Sequence, residues 1–190
     1  MKLFAIPLAL WIIWPIQTPE AVPVDQEPQH KVVFKNDFVR VLDATLPPGY
    51  VTLNHRHDVD NVSVQISNGR DGADSSRGIG RAGFSRGGYS HSVTNSGSKV
   101  MRFIVVEVLK PERSSAAAVD LPKHTLETEN DRVRIYRVKI GPGESLPSHT
   151  HATGWLEVAV NGAKPGSSAW HTSGQNQPLS EGEVVEIEPK

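Results

Sequence analysis

The 190-residue chain reads as all-β, made of two tandem copies of one strand-rich unit, on three grounds. The sequence repeats on itself at an offset of 94 residues. Its apolar residues alternate at period two in short runs. Sixteen glycines and fourteen prolines punctuate those runs, which favours short strands and tight turns over long helices.

The repeat aligns His30 with His124, Asn36-Asp37 with Asn130-Asp131, Val39-Arg40 with Val133-Arg134, and Pro48-Gly49 with Pro142-Gly143. It also aligns His55 with His149, His57 with His151 and Val64 with Val158. Ten identities fall in 38 ungapped pairs from residue 30 to 67, where chance gives roughly two or three. Turn residues and histidines are what coincide, as expected for two copies of one supersecondary unit.

Taken along the chain, residues 1–29 come first. Lys2 is the only early charge, and Leu3 to Ile16 is an apolar run of 14 residues interrupted by Pro7 and Pro15. That is short for a membrane span of about 20 residues. With the polar, Pro-rich stretch Gln17 to Gln29 it fits a secretory signal and leader. The mature chain is then expected to lack an integral membrane span and to be periplasmic or secreted; an uncleaved anchor is the other arrangement.

Residues 30–110 form the first unit. Val39-Arg40-Val41 and Val62-Ser63-Val64-Gln65-Ile66 alternate as half-buried strands do, and Val100 to Leu109 closes the unit. Residues 111–123, with Ser114 to Val119 between Pro111 and Pro122, read as a linker. Residues 124–190 form the second unit, with strands at Val133-Arg134-Ile135, Leu156 to Val160 and Val184 to Ile187. Pro48-Gly49 and Pro142-Gly143 are turns, where proline fixes φ and glycine permits φ > 0. Strands at this spacing predict a sandwich or barrel.

Composition excludes several functions. Twenty basic against 21 acidic residues give a net charge of −1, without the basic footprint of a nucleic-acid binder. The absence of cysteine excludes thiolate metal sites and cysteine nucleophiles, so metal chemistry must run through the eight histidines and the carboxylates.

His55 and His57 are two apart, so on a strand they share a face about 6.6 Å apart at Cα, a spacing that lets two imidazoles hold one metal. His91 is the remaining candidate for a third ligand in that copy. His149 and His151 repeat the pair in the second copy, which is shorter: 22 positions separate Gly69 from His91, but 9 separate Gly162 from His171. Matching Val105-Val106-Glu107 with Val184-Val185-Glu186 puts His171 within one residue of the place of His91. Matching Gly83 with Gly166 instead puts Gln177 near the place of His91 and makes His171 a strand residue beside Trp170. Both alignments stand.

These residues resemble the cupin superfamily. Its first motif opens with glycine, five residues and His-x-His, as in Gly49 to His57 and Gly143 to His151. Gly88, two residues, His91 and then Asn95 is similar to the second motif without its proline. The resemblance covers residues 30–110 and 124–188 and implies two tandem antiparallel jelly-roll β-barrels, a bicupin. It implies a divalent transition metal (Fe, Mn, Ni or Zn), one per chain, held by His55, His57 and His91 in the first barrel. In the second barrel His149, His151 and His171 are the candidate ligands. The motif glutamate is missing from both copies: Asn61 and Trp155 stand near its place. Asn61 is a candidate weak ligand or orienting residue, and Glu157 a displaced substitute on the same strand face as Trp155.

The remaining residues carry less. His30 and His124 are expected to make structural hydrogen bonds, and Asn36 and Asn130 to shape turns. Arg40 and Arg134 are expected at the surface or between the copies. Arg70 to Gly88 reads as a hydrated hairpin able to shield the first barrel's mouth, with Arg77, Arg81 and Arg86 as candidate anion contacts.

Two functions follow as expectations. One is an exported three-histidine oxygenase of the Fe(II) dioxygenase type, acting on a small chelating organic substrate. The other is a non-catalytic module that binds a small polar ligand, or a degenerate structural barrel. A small molecule is the expected partner in either case, with a homodimer open to both.

Overall fold

The computed structural model describes residues 20–110, 118, 120–146, 149, 151–174 and 181–190. The apolar run at Leu3 to Ile16, most of the linker and Gln177 lie outside the described residues. Among the described residues no helix is long and apolar enough to cross a membrane.

Thirteen strands make up the described chain: β1 (Val22–Pro23), β2 (His30–Lys35), β3 (Val39–Leu46), β4 (His55–His57), β5 (Asn61–Asn68), β6 (Ala82–Ser85), β7 (Tyr89–His91), β8 (Met101–Val108), β9 (His124–Glu129), β10 (Val133–Ile140), β11 (Trp155–Ala159), β12 (Ser168–His171) and β13 (Gly182–Pro189). They form a five-stranded antiparallel sheet in the order β2-β3-β8-β5-β6, a second in the order β9-β10-β13-β11-β12, and a three-stranded sheet β1-β4-β7. The all-β, antiparallel architecture is as expected. The correction concerns closure: among the described residues the sheets stay separate, and neither copy closes into a hydrogen-bonded cylinder.

The repeat is visible in the backbone. Gly49 and Gly143 both sit at φ +74°, the left-handed turn that the aligned Pro-Gly pairs require. Asn36 Oδ1 accepts from the backbone N–H of Phe38 and Val39, and Asn130 Oδ1 accepts from those of Arg132 and Val133. The edge strand of each sheet slips register at the same place, beside Val41/Leu42 in one copy and Ile135/Tyr136 in the other.

Each large sheet has two buried faces with different tasks. Val39, Val41, Val62, Val64, Ile104 and Val106 face Val133, Ile135, Leu156, Val158, Val185 and Ile187 in one shared core. The alternate residues of the same strands face into their own copy. There Val24, Leu42 and Val105 cluster in the first, and Val138, Ile140 and Leu146 in the second.

Three expectations are corrected. Residues 22–29 belong to the first copy: β1 pairs parallel with β4, and Val24 and Glu27 are buried. Arg40 and Arg134 point inward, because alternation from Val39 and Val133 leaves them on the inner faces, where Arg40 bonds Glu107 and Arg134 lies 3.5 Å from Glu188. The Arg70 to Gly88 hairpin packs toward the second copy. Ile79, Ala82 and Phe84 join the shared core, Arg86 bonds Asp131, and Arg137 donates to the Gly80 carbonyl.

Candidate metal centres

In the first copy, β4 presents His55 and His57 to the interior, and β7 pairs against it with His91 directly opposite His55. The three side chains offer ligand atoms that all lie within 4.8 Å of one another, with His55 and His57 buried and His91 exposed. His55 Nδ1 donates to the Leu53 carbonyl at 2.9 Å, which fixes the tautomer and leaves Nε2 as the lone-pair nitrogen. Nε2 is buried without a hydrogen-bond partner among the described residues, and so is His57 Nδ1. Buried orphaned nitrogens are costly unless a ligand satisfies them, so the donor set fits a divalent metal.

Burial lowers all three basicities. The His57 imidazole is pushed down to about 3 by desolvation and then by the charges of its neighbours, beginning with His55 and His91. His55 and His91 are also lowered, chiefly by desolvation. Neutral imidazoles are the metal-binding form.

Beside these histidines lies a cavity of about 170 Å³ whose wall includes Leu46, Asn61, Tyr89, Phe103 and Val105. Tyr89 stacks on His57 with ring centroids 4.9 Å apart, and Asn61 Nδ2 donates to the Tyr89 hydroxyl at 3.2 Å. Asn61 therefore stands on the cavity wall beside the metal-site histidines, its side chain engaged with Tyr89. His30 lines the cavity too, 4.7 Å from the His55 ring. Its Nδ1 donates to Glu27 at 2.8 Å, the structural hydrogen bond expected of it. Sequence reasoning missed Glu27 by assigning it to the leader, and it missed Tyr89 because nothing in a lone tyrosine marks it.

In the second copy, His149 and His151 group with His124 and Glu186, again with ligand atoms within 4.8 Å of one another. His171 is not brought into this group. It lies on β12 opposite Trp155, where the first copy has Ser85 opposite Asn61, so the alignment making it a strand residue is the one followed. Its Nε2 is 3.6 Å from Glu157, whose carboxylate also stands outside the cluster.

Glu186 was missed because the matched Val-Val-Glu triplets are two residues out of register. Arg40 faces Glu107 and Arg134 faces Glu188 across their strand pairs, so Glu188 is the counterpart of Glu107, and Glu186 that of Val105. The aligned arginines would have given that register. Hydrogen bonds from the three histidines hold the Glu186 carboxyl far below its ordinary range despite its burial. For His151, burial pulls the imidazole down, yet Glu186 and Glu188 carry it up to about 9.

No protein-family model matches the chain, and no curated protein matches it in sequence. Among solved structures, AerE from Microcystis aeruginosa is similar over 86% of this chain and 98% of its own, at 14% identity and TM-score 0.50. A cupin domain from Bordetella pertussis Tohama I is 23% identical and matches 47% of this chain and 96% of its own, at TM-score 0.36. The salicylate 1,2-dioxygenase from Pseudaminobacter salicylatoxidans matches 81% of this chain and 66% of its own, at 11% identity and TM-score 0.46. At 14% identity the likeness to AerE is one of fold.

Proposed function

We propose that this chain, which has the cupin fold, binds a divalent transition metal through His55, His57 and His91 and acts there as an oxygenase on a small chelating substrate. The observation that carries the reading is the meeting of three imidazoles beside a largely apolar cavity of about 170 Å³. A cavity of about 150 Å³ accommodates a benzene-sized molecule, so a catechol or a small 1,3-diketone fits the space. Bound Fe(II) would supply Lewis-acid and redox chemistry toward oxygen and substrate at the positions that three histidines leave open.

The chain's own residues do the rest. The Leu53 carbonyl orients His55, and the stacked Tyr89 ring restrains His57. Leu46, Phe103 and Val105 exclude water from the substrate's apolar part, and the Tyr89–Asn61 pair offers the polar contact that orients it. Exposed His91 marks the side from which solvent and substrate arrive. Three neutral ligands leave the metal's full charge in the site, which favours an anionic chelate. We extend the proposal to export through the apolar run at Leu3 to Ile16.

A second reading has its own observation: among the described residues no carboxylate lines the cavity, so none of them places a carboxylate general base within it. On that reading the first copy binds a small polar ligand without turnover. Both are tested by reconstituting the chain with Fe(II) and following oxygen consumption with catechols, diketones and flavonols. Turnover that disappears in the His55→Ala/His57→Ala variant supports the oxygenase. Ligand binding without oxygen uptake supports the binding module. An unchanged metal content in that variant overturns the site itself.

A further inference from the structure

We propose that the second copy carries a metal site of another kind: a closed, structural site for a zinc-like divalent cation, held by His124, His149, His151 and Glu186. The proposal is independent of any activity in the first copy.

Hydrogen-bond accounting points to a cation at this place. His124 Nδ1 lies 2.8 Å from the Pro122 carbonyl, and its Nε2 lies 2.9 Å from Glu186 Oε2. His151 Nδ1 lies 2.6 Å from Glu188 Oε1, and its Nε2 lies 3.0 Å from the same Glu186 oxygen. Each ring thus has an acceptor on both sides, whereas a neutral imidazole has one N–H. With no ion, each ring can serve both acceptors only as an imidazolium; beside a bound cation the outer contact keeps the single N–H and the inner nitrogen becomes a ligand. His149 Nε2 approaches the other Glu186 oxygen at 3.7 Å. A divalent cation among these atoms, all within 4.8 Å of one another, displaces the inner protons and takes the three inner nitrogens and the Glu186 carboxylate as ligands. Pro122 and Glu188 then serve as the outer partners that orient metal-bound imidazoles.

The donor set is three nitrogens and one oxygen, complete for a tetrahedral ion and typical of borderline metals such as zinc. It differs from the first site by the carboxylate, because β13 carries Glu186 where β8 carries Val105. It differs also in access. The side chains of His124, His149, His151 and Glu186 are 1%, 4%, 0% and 1% exposed, whereas His91 of the first site is exposed. Fully buried Trp155 stacks on His151 at 4.3 Å. It occupies the strand position at which Asn61 faces the first copy's cavity, so an indole stands where a substrate would. The four protein ligands complete the coordination, and the indole keeps other molecules out.

The test uses the full chain stripped of metal and titrated with Co(II) or Zn(II). In the His55→Ala/His57→Ala variant, one equivalent should still bind, give the visible bands of tetrahedral Co(II), and quench tryptophan emission. Trp155→Phe should abolish the quenching and keep the equivalent. Glu186→Val, the first copy's residue, should lose the equivalent and its thermal shift with Zn(II). Glu186→Gln, which keeps the shape, serves the same purpose if the valine variant does not fold. The proposal is overturned if the His55→Ala/His57→Ala chain binds no Co(II), or if Glu186→Gln binds and quenches as the parent does. Either result leaves a buried histidine–carboxylate network that needs no ion. Neither result touches the first site, whose own equivalent is read in the Glu186 variants.

Discussion

Glu27 holds three neighbours at once: it accepts from the Gln29 backbone at 2.6 Å, from His30 at 2.8 Å and from the Tyr50 hydroxyl at 2.9 Å. Burial works to raise its carboxyl, but the bonds from His30, Tyr50 and Gln29 outweigh it and hold the group below its ordinary value. Glu27→Ala strands several donors in a buried place, each worth about 1–3 kcal/mol. We expect a loss of about 2–4 kcal/mol in chemical denaturation and a smaller loss for Glu27→Gln. A variant as stable as the parent would show that residues 22–29 are dispensable. The histidines of the two copies titrate in opposite senses. Folded His57 takes up a proton only near 3, while an unfolded histidine does so near 6.5. The metal-free fold therefore loses stability as the pH falls across that window. His151, held up at about 9, contributes fully below 6.5 and loses its contribution as the pH rises toward 9. Thermal midpoints measured in chelator should fall on both limbs. His57→Asn should flatten the acid limb, and His151→Asn the alkaline one.

At the level of the strand, much was legible because local chemistry repeats. The Asn-Asp turns, the Pro-Gly turns and the His-x-His strands are short motifs whose side chains act within a few residues of themselves. What the sequence hid was cross-strand register. The offset between copies is 94 at Arg40 and Arg134 but 81 at their partners Glu107 and Glu188. A Val-Val-Glu match between β8 and β13 lands two residues away and keeps the same alternation, so no pattern of burial betrays it. Glu186 enters a site through that register alone, and His124, on β9, joins it by the 2.9 Å contact with Glu186. The positions of Asn61 and Trp155 decide which copy has room. Asn61→Trp should fill the first cavity as Trp155 fills the second. Such a chain should keep the metal of His55, His57 and His91 and stop binding catechol, as read by metal analysis and by calorimetric titration. Catechol binding unchanged by the indole would mean that the cavity is not where the ligand sits.

Across the whole molecule, the two repeats share one interior. The inward faces hold the histidines and the outward faces of both large sheets meet in a single apolar layer. Phe38 of one copy stacks on Trp170 of the other at 5.7 Å, and Arg132 reaches back to Asp60 at 2.6 Å. Neither sheet can leave the other without baring its valines to water, at about 25 cal/mol for each Å² exposed. The copies should therefore unfold together, although their histidine sites lie on opposite sides of this layer. Val158→Asp tests this from the second copy, since it puts a carboxylate at a fully buried position opposite the first sheet. Its desolvation has no partner to offset it and should cost several kcal/mol. Calorimetry of the parent should show one transition, and the variant should lower the whole of it, taking with it the metal binding of His55, His57 and His91. Two separate transitions, or a first-copy site indifferent to a charge placed in the second, would show that the shared layer is a contact between independent halves.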